Sequence, residues 1–285
     1  MKLKYNYNFE EECVVKEYLK DKLSHHLLKR IRVLDNIKIN GQNGKNYYVL
    51  KKGDVLELEF DEEMNQDIEV SDEAIDIVYE DEYLLIVNKK SYISSQPSVK
   101  HQKDNLLSMV KKYFIDNKID GNMHLINRLD YQTSGLVMIA KSGIVQYFFE
   151  DVKIDKRYLC VVKGIIDNDK GIINYPISRY PQPSIKRYVD LENGKNAITE
   201  YEVIKRDYLN DVTLLDINLI TGRTHQIRVH FSYINHPLIG DKLYNEENKN
   251  NNELLLHAYK LSFVHPIIGD KIEIINYPNW FDNYI

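Results

Sequence analysis

The chain has 285 residues, a formal charge of -5, and 43% hydrophobic against 28% charged side chains. That length supports one large domain and one small one. No run reaches the eighteen or so apolar residues of a membrane-spanning helix, so membrane insertion is not expected. The first residues, MKLKYNYNFEEEC, lack the apolar stretch of a secretory signal, and the cytoplasm is the expected location. Two cysteines, Cys13 and Cys160, are too few for a disulfide framework and form no metal-binding pair; Cys160 reads as a packed strand residue.

Charge is unevenly spread. Residues 1–60 hold 12 Lys/Arg against 9 Asp/Glu, whereas residues 61–82 hold 11 acids and no Lys or Arg. The acidic stretch reads as a solvated linker, assigned to 61–75, that leads into a strand of a larger domain at 76–285. Its other reading is an acidic surface that turns nucleic acid elsewhere.

In chain order, VVKEYLKDKL places apolar residues at 14, 15, 19 and 23 and predicts a helix. Ser24 then caps a second helix, HHLLKRIRVL. Short strands follow in IKINGQNGKNYYVLKKGDVLELEF, broken by Asn40-Gly41, Asn43-Gly44 and Gly53-Asp54, since Asn and Gly tolerate positive φ. Lys29, Arg30, Arg32 and Lys38 cluster on the second helix and its exit, which suits phosphate contact; a solvated helix face explains the charge equally well. Residues 13 to 60 resemble the small RNA-binding module first described in a small-subunit ribosomal protein, with Ile39-Asn40-Gly41 and Lys52-Gly53-Asp54 at its two turns. That resemblance implies a small N-terminal α/β RNA-binding module over 1–60.

Beyond the linker, IDIVYEDEYLLIVNKK predicts a hairpin turning at Asp81-Glu82, and a helix follows near 104–118. Strands then dominate, through GLVMIA, RYLCVVKG, GIINYPI, NAITEYEVIKR, VTLLDINLI, LLLHAYKLSFV and KIEIINYP, with helices near 143–153 and 224–234. The expected class is α+β on a largely antiparallel, mixed sheet.

The stretch HLINRLDYQTSGLVMIAKS raises the chemical question. GLVMIA suits a central strand covered on both faces, so Arg128 and Asp130 lie where the chain crosses the end of the sheet. A carboxylate there has to be paired or hydrogen-bonded. Asp130 is either a turn-former bonded to nearby backbone or a reactive group held by a cation. In ITGRTHQIRVHFSYINHPLIGDKLY, Thr224 is the expected cap of a helix with Ile227, Phe231 and Ile234 on one side, and Arg228 at the edge of that stripe is the natural partner for Asp130. His225 and His230 lie on different helix faces without a third ligand, and read as surface or RNA-contacting residues, not a metal site. Tyr158 reads as a strand tyrosine with its hydroxyl at the core's rim.

NRLDYQTSG, KRYLCVVKG and GRTHQIRVH with HPLIGDKLY, in this order, resemble the three motifs of the RluA-type RNA pseudouridine synthases. LLLHAYKLSFVHPIIG resembles that family's closing strand pair. The resemblance implies the pseudouridine synthase fold and an isomerase that converts a uridine within RNA to its C-linked isomer, without cofactor or metal. It implies that Asp130 attacks the flipped nucleotide, Arg228 forms an ion pair with Asp130, Tyr158 stacks on the base, and Arg128 displaces the base from its stack. It also places Thr133, Arg223, His225, Gln226 and Ile227 at the bound RNA. Ribosomal RNA is favoured over tRNA as the partner, and the expected state is a monomer. Two departures stand out: Asn127 replaces the family's usual His, and Asn88-Lys89-Lys90-Ser91-Tyr92 lacks the Pro and Gly of a KPxG motif. The alternatives are a catalytically silent RNA-binding or assembly protein on the same scaffold, and a nucleoside or glycoside hydrolase, which would need a second carboxylate that these motifs lack.

Overall fold

The structure, a computed structural model, describes residues 2–20, 22–23, 28, 36–60, 62–181, 183–245 and 253–285. The chain divides into two compact units, Met1–Met64 with Asp120–Asn122, and Asn65–Ile119 with Met123–Ile285.

The first unit contains β1 (Lys2–Asn6), β2 (Cys13–Val14), α1 (Val15–Lys20), β3 (Ile37–Ile39), β4 (Gln42–Asn43), β5 (Val49–Leu50) and β6 (Val55–Glu59). Four strands form an antiparallel sheet in the order β1-β6-β3-β4, and β2 pairs with β5. Leu3, Ile37, Ile39, Leu56 and Leu58 are buried, as alternation along the strands requires. Tyr18 of α1 meets Tyr5 of β1 edge-on at 6.2 Å between ring centroids. The two turns picked out by sequence lock each other. Asn40 takes φ 52° and Gly41 φ 80°, and the Asn40 amide donates to Asp54 Oδ1 at 2.8 Å while its Oδ1 accepts the Val55 N–H at 2.8 Å. Most of the expected second helix, with Lys29, Arg30 and Arg32, lies outside the described residues. Strand β1 was not expected; it is a short edge strand with Leu3 buried, too weak a pattern to read.

The second unit is built on β7 (Ile77–Glu80), β8 (Leu84–Lys89), α2 (Leu106–Asp116), β9 (His124–Leu125), β10 (Ser134–Ala140), α3 (Gly143–Phe148), β11 (Asp155–Lys163), β12 (Lys170–Asn174), β13 (Ile177–Arg179), β14 (Arg187–Val189), β15 (Ile198–Asp207), β16 (Val212–Leu219), α4 (Gln226–Tyr233), β17 (Leu256–Val264) and β18 (Lys271–Ile275). Its large sheet runs β12-β15-β16-β11-β17-β10-β8-β7, with β18 beside β17 and β9 beside β10. Every named pairing is antiparallel except β10–β17, so the mixed α+β class expected from sequence holds. The hairpin turn falls where expected, with Asp81 Oδ1 accepting the Tyr83 and Leu84 N–H groups at 2.7 Å. Asn105 caps α2 and Ser142 caps α3.

The acidic stretch departs from the linker reading. From Asn65 onward it belongs to the second unit: Lys111 of α2 donates to the carbonyls of Asn65 and Ile68, and the Ser71 N–H donates to the Ser108 carbonyl. Ile68 and Ser71 are buried. A few inward-facing residues dock a segment whose net charge reads as solvated.

β10 is the central strand that its apolar run predicts, buried from Gly135 to Ala140 between β8 and β17. Its parallel crossing with β17 depends on Gly135. That residue has φ +115°, and a Cβ there would stand 2.3 Å from the Ala258 carbonyl oxygen.

Candidate active site

The segment before β10 is strapped down from both sides. Asn127 donates to the Leu136 carbonyl at 3.2 Å and accepts the Met138 N–H at 2.7 Å, so the asparagine itself supplies the supporting bonds. Ser95 bonds both backbone groups of Leu129. The Thr133 N–H donates to the Asp130 carbonyl at 3.0 Å, closing the turn that carries Asp130. Tyr92 donates its N–H to Tyr131 at 2.7 Å from a left-handed conformation, φ 64°. The missing glycine of the first motif is thus replaced by a tyrosine that adopts the backbone shape glycine would favour.

Asp130, Arg128, Thr133, Tyr158, Arg223, His225, Gln226, Ile227 and Arg228 all line one cleft of about 800 Å³. The Asp130 side chain keeps 29% exposure, and the hydrogen bond recorded for its carboxylate is the His225 N–H at 3.3 Å, a long one. Arg128 is exposed on the lining. The buried Thr133 hydroxyl has no hydrogen-bond partner among the described residues. Tyr158 is buried on β11, where a bulge between Arg157 and Tyr158 re-aims the strand. Burial, with Asp130 adding, pushes its phenol upward in pKa, so it stays protonated.

Arg228 does not make the expected ion pair with Asp130. Its Nε and Nη2 donate to the two oxygens of Asp241 at 2.7 and 2.8 Å, and Nη2 also donates to Gln132 Oε1 at 2.9 Å. The pair is dry, with side-chain exposures of 2% and 0%. Burial opposes the guanidinium's charge, but the bonds and charge of Asp241, with Asp130 also contributing, raise its pKa overall. Asp130 acts on Arg228 through space, not by contact.

Other expectations are also revised. The α4 cap is His225, not Thr224; it takes φ 59° and makes no side-chain cap bond. His225 Nδ1 is bonded to the Tyr244 hydroxyl at 2.8 Å, and burial lowers its pKa against the pull of Asp130. His230 is not on the surface: it is fully buried, bonded to Thr199 Oγ1 and the Tyr175 carbonyl. Gln226 is turned inward, its oxygen accepting from Thr221 and the Arg223 N–H while its nitrogen donates to Ile198 and Thr199. Its side chain braces the turn before α4 and is not free for RNA. Ile227 is buried at the cleft wall, and Arg223 is exposed with Nε donating to the Asn196 carbonyl. In the first unit, Lys38 pairs with Glu59 at 2.8 Å.

Sequence reading did not single out Asp241, Tyr244 or Lys89. Lys89 is buried at the end of β8, donating to the Lys90 and Ile93 carbonyls; burial lowers its pKa to about 7 despite the attraction of Asp130. The signal for Asp241 was its place in HPLIGDKLY, within the arginine motif.

The profile of the family described as RNA pseudouridylate synthase matches residues 83–233, the stretch that carries Asp130, Tyr158 and Arg228. The chain belongs to the RNA pseudouridine synthase family. It is 35% identical over 265 residues to the uncharacterised RNA pseudouridine synthase YjbO of Bacillus subtilis, covering 90% of this chain and 93% of that one. It is 34% identical over 223 residues to the ribosomal large subunit pseudouridine synthase D of Borreliella burgdorferi, covering 74% and 68%. Among solved structures, human RNA pseudouridylate synthase domain containing 1 aligns with a TM-score of 0.60 at 25% identity, over 73% of this chain and 85% of that one. The pseudouridine synthase is therefore an enzyme that isomerises uridine in RNA. Among its described residues no helix is long and apolar enough to cross a membrane, and no group of three or more His, Cys, Asp or Glu is placed to hold a metal ion.

Proposed function

We propose that this pseudouridine synthase modifies ribosomal RNA in the cytoplasm through Asp130, acting on a uridine flipped out of its strand. In this reading the Asp130 carboxylate breaks the bond between the sugar's C1′ and uracil N1. The freed uracil turns within the cleft and rejoins C1′ through C5; C5 gives up a proton and N1 gains one, so no atom is lost overall. Tyr158, kept protonated, backs the base and sits where a proton has to move. Arg128, exposed at the rim, fills the space the base leaves in the stack. The unpartnered Thr133 hydroxyl is offered to the nucleotide. Arg228 supplies positive potential near Asp130 while anchored by Asp241. The N-terminal unit serves as an RNA-binding module, with Lys29, Arg30, Arg32 and Lys38 contributing phosphate contacts.

The observation that carries this reading is a cleft that brings the half-exposed Asp130 carboxylate, with one long hydrogen bond, together with Tyr158 and within electrostatic reach of Arg228, while the other carboxylate on its lining, Glu150, is exposed. The large-subunit name of the Borreliella relative favours ribosomal RNA. The test is to map pseudouridine in ribosomal RNA from cells with and without the protein, and to repeat it in vitro with Asp130→Asn. Sites should vanish without the protein and return only with the wild type, while Asp130→Asn still binds the RNA. Release of free uracil would favour hydrolysis, and binding without isomerisation would favour a silent scaffold.

A further inference from the structure

A second cavity, of about 400 Å³, opens beside the catalytic cleft and shares Gly222, Arg223 and Thr224 with it. Its lining includes Arg179, Arg187, Lys195 and Arg223 and contains no carboxylate. The β13–β14 hairpin places Arg179 directly opposite Arg187 in register. Like charges facing each other across two strands destabilise the pair. Lys195 is held at the same hairpin, its backbone exchanging hydrogen bonds with Ile177 at 2.9 and 3.0 Å.

Among the described residues none of these four cations makes an ion pair, whereas other cations of this unit do. Arg157 pairs with Asp216, Arg206 with Asp169, Lys170 with Glu202 and Lys260 with Glu273. Arg187 also lowers the pKa of His225, whose N–H reaches Asp130, so its charge is felt at the catalytic cleft. Guanidinium groups match phosphate oxygens in pairs, and a concentrated set of them without acids suits one anionic group.

We propose that Arg179, Arg187, Lys195 and Arg223 form a phosphate clamp that grips the RNA backbone next to the nucleotide held at Asp130. This rests on the proposed function, because it takes the bound strand to run from the cleft into the neighbouring cavity. The opposed arginines are then held at a cost in the free protein that the bound phosphate relieves.

The experiment uses the full-length protein and large-subunit ribosomal RNA from cells lacking it. Binding is measured from low to moderate salt for the wild type, Arg179→Gln, Arg187→Gln and the double variant, with Lys170→Gln, a paired cation outside the cavity, as control. Each clamp substitution should weaken binding about tenfold and flatten the plot of log affinity against log salt by about 0.7 to 0.9. The loss should appear in KM more than in kcat, and the melting temperature should stay level or rise as the like-charge pair is relieved. Lys170→Gln should leave the slope unchanged. An unchanged slope in the double variant, or a melting temperature that falls along with affinity, would overturn the clamp. So would stabilisation of the wild type but not the double variant by millimolar inorganic phosphate with identical RNA slopes, which would make the cavity a site for free phosphate. A wild type that forms no pseudouridine would overturn the proposed function instead, while the salt slopes would still report on the clamp.

Discussion

Asp130 and Asp241 both act on Arg228, yet the protein treats them oppositely. Asp241 has no exposed side-chain surface and, among the described residues, accepts hydrogen bonds from the Arg228 guanidinium, two of them, and from the N–H groups of Leu243 and Tyr244 at 2.9 and 3.1 Å. Asp130 keeps 29% exposure and one long backbone donor. A carboxylate with its lone pairs filled has little left to offer a substrate, whereas one with free lone pairs at the lip of a cleft is ready to react. One acid therefore fixes the cation and the other is left available to use its field.

Removing the buried partner is expected to have the largest effect on stability. Asp241→Ala leaves Arg228 charged and unpaired in a dry site, and urea denaturation should show a loss of about 3–5 kcal/mol. Asp130→Ala should stay within about 1 kcal/mol, since it removes a half-exposed group with one long bond. Equal losses for the two would erase the distinction.

Behind Asp130, the parallel crossing is tied by the Ser134 hydroxyl to His257 Nδ1 at 2.8 Å, and burial lowers the His257 pKa to about 4. The unfolded chain takes up this proton below about 6.5 and the folded one does not, so stability present above that pH is lost as it falls towards 4. The contribution is about 3 kcal/mol over that window. In His257→Gln the acid slope of stability should be shallower by that amount; an unchanged slope would show that the histidine is already charged in the fold.

Lys89 sharpens the contrast from the cation side. With a folded pKa of about 7 against an ordinary 10.5, it binds a proton in the unfolded chain that the fold releases. Stability from this group is complete above pH 10.5 and is lost as pH falls towards 7. Between pH 7 and 9, wild-type stability should therefore climb relative to Lys89→Met by about 2–3 kcal/mol. Parallel curves would mean that Lys89 keeps its charge beside Asp130.

The smallest expected change in stability is at Tyr158→Phe. Among the described residues the hydroxyl makes no hydrogen bond, so stability should move by less than about 1 kcal/mol, while the isomerisation rate falls if the phenol moves a proton. A full-rate phenylalanine variant would reduce Tyr158 to a stacking surface.

The central strand, the hairpin at Asp81 and the three motif segments were legible because each is a local pattern: an apolar run, a turn-forming Asp, a short signature. The partner of Arg228 was not. Sequence reading supplied a guanidinium at the edge of an apolar stripe that needed a carboxylate, and it named Asp130, passing over Asp241. The choice is made by the turn before Asp241, where Gly240 takes φ +79° and a Cβ would come within 1.8 Å of the Glu253 carbonyl oxygen. That close approach joins segments whose contact no local pattern encodes. The same holds for Gln226, read as an RNA contact from its motif but turned inward by bonds to β15 and to the loop before α4. Lys89 was read only as part of a motif lacking its Pro and Gly, and its burial was not legible because a strand lysine reads as solvated until the sheet around it is assembled.

The division between the two acids is tested most directly by measuring pseudouridine formation and urea stability together for Asp130→Asn and Asp241→Asn, on ribosomal RNA from cells lacking the protein. The account predicts that Asp130→Asn is folded, binds RNA and forms no pseudouridine, while Asp241→Asn is destabilised but keeps measurable isomerisation in the fraction that is folded. An Asp130→Asn enzyme that still isomerises uridine would contradict it.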